Sequence, residues 1–114
     1  MPTRYYITIP DGALARGTDA DLSFRSTGSQ GLAQELQDAL TGDALFEKWR
    51  ARQPDPDEVD MSLAAVDPTA TVQGEQDSLK IDLVVNTSIP GNVLKHRLRM
   101  LAGSHWQLKD VTSG

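Results

Sequence analysis

The stretch SLKIDLVVN, Ser78 to Asn86, decides how the chain is read. Leu79, Ile81, Leu83 and Val85 alternate with Lys80, Asp82 and Asn86, the period of two that gives a β-strand one core face and one wetter face. Downstream, a helix begins near Ser88, with Pro90 in its first turn, where the missing N–H has no intrahelical partner to lose. Gly103 closes that helix. His105 to Val111 then reads as a final strand with Trp106 and Leu108 on one face.

Upstream, Gly74-Glu75-Gln76-Asp77 reads as a turn, Thr69 to Gln73 as a returning strand, Asp67-Pro68 as a turn and Met61 to Val66 as another strand. Near the N-terminus, RYYITI places Tyr5, Ile7 and Ile9 on one side of an extended chain and Tyr6 and Thr8 on the other. Asp21 to Arg25, DLSFR, alternates in the same way around Leu22 and Phe24. Leu32, Leu36, Ala39 and Leu40 recur at helical spacing behind Ser29, a residue suited to cap a first turn. Gly42 suits a left-handed helix end and Asp43 the next N-cap, so ALFEKWRARQ forms a second helix, or the end of one bent helix, with Leu45, Phe46 and Trp49 inward.

The resulting order is ββα(α)βββαβ. Hairpin-length connections in the middle favour an antiparallel or mixed sheet of about five or six strands with two main helices on one face, an α+β arrangement. No internal repeat is strong enough to defend: a loose echo relates the two strand-and-helix halves, but the helices differ in length and the residues do not align.

At 114 residues the chain is expected to form one domain, 1–114, with a modest core and no obligatory metal. Hydrophobic residues make up 39% and charged residues 24%, far from the composition of a disordered chain. No cysteine is present, which excludes disulfides, thiolate chemistry and Cys-type zinc sites. MPTRYYITIP is not a signal-peptide pattern, and Leu83-Val84-Val85 falls far short of the roughly 20 apolar residues of a membrane-spanning helix. A cytoplasmic protein without a membrane partner is the default expectation.

The net charge of −5 hides an uneven distribution. Asp55, Asp57, Glu58, Asp60, Asp67, Glu75 and Asp77 stand between Gln53 and Asp77 with no Lys or Arg, while Lys95, Arg97, Arg99 and Lys109 stand between Asn92 and Lys109 with no acid. The acidic middle and basic end are therefore expected to face each other, within the fold or across a dimer. Within the middle, QPDPDEVD (53–60) reads as an acidic, proline-rich loop that no core would accept.

On a helical wheel, Leu94, Leu98, Leu101 and Ala102 share one sector, with Lys95, His96 and Arg99 opposite. Arg97 lies between the leucines and the pair Val93 and Met100, a position from which its stem lies on the core edge and its guanidinium reaches a carboxylate. Nucleic-acid contact through this helix is disfavoured by the acidic whole, the missing phosphate loops and the lack of aromatics beside the cations.

No catalytic, cofactor or metal motif stands out. His96 and His105 are the only histidines, and the two lack a third ligand at metal spacing. The loop counted from Asp55 has Asp60 where a calcium loop needs glycine and Val66 where it needs glutamate. The serines have no GxSxG setting, and Gly28 and Gly31 form no phosphate loop. The expected function is a small non-catalytic protein-interaction module, as a homodimer or with another protein, contacting its partner through Lys95, His96, Arg97, Arg99 and Lys109 or through exposed strand edges. The alternative is a small enzyme or ligand-binding protein with a pocket between sheet and helices lined by Tyr5, Tyr6, Trp49 or Trp106. Nucleic-acid contact through the basic helix comes third, and no cofactor is implied.

Overall fold

Two segments of strict alternation build the centre of the sheet. β1 (Thr3–Ile9) and β3 (Lys80–Thr87) pair antiparallel, with Tyr5 opposite Val85, Ile7 opposite Leu83 and Ile9 opposite Ile81. All six of these side chains are buried under the helices, as their period of two requires. The computed structural model describes residues 2–113 and adds β2 (Thr71–Asp77) beside β3 and β4 (Gln107–Ser113) beside β1, both antiparallel. The strand order is therefore β2-β3-β1-β4.

The helices are α1 (Ser29–Thr41), α2 (Ala44–Ala51) and α3 (Gly91–Ala102), with 3₁₀ turns at Pro56–Glu58 and Met61–Ala64. β1 and β2 run in the same direction with β3 between them, and β3 and β4 do so with β1 between them. The units β1-α1-β2 and β3-α3-β4 thus interleave in one antiparallel sheet, the split βαβ or ferredoxin-like connectivity. Leu32, Leu36 and Leu40 of α1 and Leu94, Leu98 and Leu101 of α3 close the core over the sheet. None of the helices is long and apolar enough to cross a membrane, among the described residues.

Four strands form among the described residues, not five or six, and the physical reasons are local. Asp21 to Arg25 is not a strand: Leu22, Ser23 and Phe24 are buried in succession, and the Phe24 N–H donates to the Leu101 carbonyl at the end of α3 (2.9 Å). Met61 to Val66 is not a strand: Met61–Ala64 is a 3₁₀ turn capped by Asp60, whose Oδ1 accepts from the Ser62 N–H (2.9 Å) and hydroxyl (2.7 Å). The stretch Gly74 to Asp77 is strand rather than turn, and the chain reverses at Ser78-Leu79. Ser78 there has φ +59°, the positive value that a two-residue hairpin of type II′ needs at its first loop position. Leu79 consequently sits on the hairpin tip, 62% exposed, and does not join Ile81, Leu83 and Val85.

α1 and α2 are separate helices, with Asp43 at the N-cap position of the second, as the stop and restart at 41–43 leads one to expect. Two helix ends depart from expectation: Ser29 lies inside the first turn of α1 with Gly28 as its cap, and Gly42 is extended (φ −139°) rather than left-handed. Gly103 does take positive φ (+63°), and a side chain on it would also strike the Arg16 carbonyl, with 2.7 Å between a Cβ and that oxygen.

Arg97 ties these elements together. It is fully buried, and its guanidinium donates to three carbonyls: Nε to Ala39 of α1 (3.2 Å), one Nη to Leu63 and the other to Ala65 (3.0 Å). The Phe46 ring of α2 lies 5.7 Å from its Cζ, within cation–π range. The expected carboxylate partner is absent among the described residues; carbonyl oxygens take its place. Those carbonyls are thereby unavailable to a β-ladder, which is a further reason that 61–66 is no strand. Arg97→Ala leaves three acceptors unsatisfied and a large cavity, so a loss of about 3 kcal/mol or more is expected in denaturant unfolding. Arg97→Lys is expected to recover little of it, because an ammonium lacks the planar fork.

Asp67 makes the second tie. Its Oδ1 accepts from the Thr69 N–H (3.0 Å) and hydroxyl (2.6 Å), and its Oδ2 from the Thr87 hydroxyl and the Ser88 N–H (both 2.9 Å), joining the entry of β2 to the exit of β3. The Thr69 hydroxyl and the Ser88 N–H, outweighing the opposing effect of burial, hold its carboxyl well below the usual carboxylate range. A folded-state pKa below the unfolded one means that the unfolded chain takes up a proton first as pH falls. Asp67 stabilisation is thus fully present above an unfolded value of about 4 and is lost below it. Asp67→Asn is expected to melt at a lower temperature at neutral pH, with a shallower acid limb in melts across about pH 2 to 7.

Candidate functional site

The outer surface of the helix layer carries the features most suited to binding. α3 turns its leucines to the sheet and leaves Lys95 and Arg99, one helical turn apart, exposed on its other side. Neither side chain has a hydrogen bond or ion pair among the described residues. His96 lies beside them, half-buried, with its ring edge-on to Trp49 of α2 at 4.5 Å between centroids. Trp49 is half-buried in turn and packs at 5.6 Å on Phe46.

Between α2, α3 and the loop at Thr18 to Leu22 lies a cleft of about 530 Å³, lined by Leu22, Trp49, Arg52, Gln53, His96 and Arg99 among others. A neighbouring hollow of about 580 Å³ extends past Gly103 and Ser104 to Trp106, and Thr18 and Arg99 line both. Arg99 therefore stands between a lobe walled by Trp49 and a lobe walled by Trp106. The Trp106 indole N–H is already engaged by the Gly103 carbonyl (2.9 Å), which holds the ring in place.

The cleft wall is braced from below. Arg52 at the end of α2 reaches the Asp19 carboxylate with Nε (2.7 Å) and the Asp21 carboxylate with Nη2, pinning the 19–21 loop to the helix. Its charge is thus neutralised locally, and Arg99 is the unpaired cation that the cleft presents among the described residues. The Gln53 amide donates to the Trp49 carbonyl (3.0 Å) at the same end of α2.

The His96 Nδ1 is buried and has no hydrogen-bond partner among the described residues. Burial, and then the Arg97 and Arg99 guanidiniums, push the imidazole below its ordinary value. It is neutral at pH 7, so the cleft holds a neutral ring beside the Arg99 charge. The folded chain resists protonation here, so the unfolded chain binds the proton first, and stability falls as pH drops through the unfolded value near 6.5. Chemical denaturation at about pH 7 and about pH 5 is expected to show this loss in the wild type and a smaller one in His96→Gln.

Of the five expected contact residues, Lys95, His96 and Arg99 come together on this surface. Arg97 does not: it is enclosed in the core. Lys109 is also apart, on the outer strand β4, where it is the extra residue of a bulge opposite Tyr6 and Ile7. Among the described residues, no ion pair joins the acidic middle to the basic helix. The described contact between them runs through the Leu63 and Ala65 carbonyls to Arg97, while Arg50 pairs with Asp57 (3.6 Å) inside its own neighbourhood.

A pocket between sheet and helices is replaced by core. Tyr5 is buried there with its hydroxyl donating to the Ile89 carbonyl (3.2 Å), and Tyr6 faces the other side of the sheet, opposite Val84. Trp49 and Trp106 line hollows outside the helix layer. Arg52, Thr18 and Leu22 were not marked by sequence, because their roles depend on a loop packing across two helices.

Both free sheet edges are blunted. The outward Val72 N–H of β2 donates to the Gln37 side chain of α1 (3.0 Å), and β4 carries its bulge at Lys109-Asp110. Among the described residues, no three or more His, Asp or Glu side chains group as a metal site would require. Comparison with known proteins gives no match to a family model, a curated protein or a solved structure.

Proposed function

We propose that the chain is a non-catalytic protein-interaction module that receives its partner on the outer surface of α2 and α3. The observation that carries this reading is the unpaired Lys95 and Arg99 row beside a cleft walled by Trp49. An aromatic wall with an adjoining arginine has the composition of an interface hot spot. The blunted strand edges favour this surface over edge-to-edge pairing. Acid–base chemistry has little support, since the one histidine in the cleft has a buried Nδ1 and the nearby Asp19 is tied to Arg52.

The open face of the sheet is less suited to a partner. Arg4 there is held by Asn86 (3.0 Å) and Thr8 by Asp82 (2.8 Å), and Tyr6 is its aromatic residue among the described strands. Base stacking on such a face would have one aromatic and several carboxylates to work with, which disfavours nucleic acid.

A second reading, a small anionic ligand in the cleft, draws on its volume, which lies within the range of about 300 to 1,000 Å³ typical of ligand sites. Affinity capture from nuclease-treated native lysate separates the two. The wild-type chain is expected to retain a defined protein, and Lys95→Glu/Arg99→Glu to reduce its recovery at least about tenfold, or ~1.4 kcal/mol. Equal recovery by both chains would place the contact elsewhere. Recovery of no protein, with a melting temperature raised by a small carboxylate or phosphate ester, would favour the ligand reading.

A further inference from the structure

We propose that the partner received on this surface is a second copy of the chain, which lays its Asp55–Met61 segment, DPDEVDM, across the Lys95 and Arg99 row and seats Met61 against Trp49. This inference rests on the reading of the helix surface as the interaction face and names its occupant.

The segment starts at the wall of the cleft. Gln53 lines that cleft, and three residues later the chain enters the Pro56–Glu58 turn, whose Pro56 carbonyl accepts from the Arg50 Nε of α2 (3.0 Å). The acidic residues are thus displayed on a ridge held against α2. Charges on ridge and cleft remain available. Asp55 and Glu58 have no ion pair among the described residues, Asp57 is 94% exposed despite its 3.6 Å approach to Arg50, and no carboxylate of the segment pairs with Lys95 or Arg99 in its own molecule.

Shape and composition complete the match. Met61 ends the segment, 50% exposed, one residue beyond the Asp60 that caps the next turn. An unbranched, polarisable side chain adapts readily to an aromatic wall such as Trp49 with Leu22 beside it. Ridge and cleft adjoin on one surface, so a two-fold axis between them mates ridge with cleft twice, the self-complementary geometry of an isologous dimer. Within one molecule this opposition of charge is not met among the described residues: the cation facing the ridge is Arg50, not Lys95 or Arg99.

Sedimentation equilibrium of the full chain over a range of concentrations tests this. A dimer is expected, weakening as salt rises from about 0.1 M to about 1 M, where the Debye length shrinks from ~10 Å to ~3 Å. Asp57→Lys/Glu58→Lys and Lys95→Glu/Arg99→Glu, all at exposed positions, are each expected to weaken it at least tenfold. An equimolar mixture of the two variants is expected to recover it, since every reversed contact then meets its complement. A chain that is monomeric throughout overturns the second copy as partner, while the lysate capture separately decides whether the surface binds another protein. A dimer indifferent to both reversals, or a mixture that stays monomeric, overturns it too. Should a variant fail to fold, carbodiimide cross-linking of mixed light and heavy isotope-labelled wild type serves: bonds from Lys95 of one copy to Asp57 or Glu58 of the other are expected, and bonds confined to single copies overturn the proposal.

Discussion

Arg97 places a permanent positive charge where the end of α1, the 61–65 turn, α2 and α3 converge. A guanidinium cannot be left there without acceptors, and the three carbonyls that meet it come from two separate stretches of chain, the end of α1 and the 63–65 segment. The long connection between α2 and β2 is anchored by this contact and then by Asp67, whose own N–H donates to the Leu40 carbonyl (2.8 Å). Carbonyls, which carry only partial charge, suffice because the planar fork engages three of them at once and Phe46 covers the site. A carboxylate in the same place would have had to be desolvated as well.

The same helix that sends Arg97 inward sends Lys95 and Arg99 outward, and the difference is one of phase. Position 97 falls close enough to the leucine sector to be swallowed by the core, whereas 95 and 99 lie on the far side. α3 therefore acts twice, as the clamp on the acidic connection and as the bearer of the unpaired cations beside Trp49. Burial of Arg97 next to His96 links the two roles, since the buried charge helps to keep that ring neutral. A cleft with one unpaired cation and a neutral aromatic wall follows from how the core was closed.

How much of the site was legible in the sequence divides along the same line. The helical phase of Lys95, His96 and Arg99 was readable because periodicity is a local property. Arg97 was readable as unusual, yet its partners were not, because a carbonyl has no side-chain signature and the Leu63 and Ala65 oxygens became acceptors only when the connection was folded back. The cleft was illegible for a similar reason: Thr18, Leu22 and Arg52 come from a loop and a helix end about 30 residues apart, joined by Arg52 to Asp19 and Asp21. Lys109 looked like part of the basic group by sequence distance, but the sheet carries it to an edge.

The sequence by itself determined the α+β class, the alternation of β1 and β3, the inward faces of α1 and α3, and the acidic and basic segments, all of which follow from side-chain periods of 2 and 3.6 or from simple charge. Only the tertiary structure decided that Asp21 to Arg25 and Met61 to Val66 are not strands, since their backbone groups are engaged by Leu101, Asp60 and Arg97 rather than by a neighbouring strand. Nor could sequence fix the order β2-β3-β1-β4, which depends on how the two strand-helix-strand units interleave over one shared core. Local patterns state which face of an element is apolar; which surfaces meet is decided when every buried polar group must find a partner.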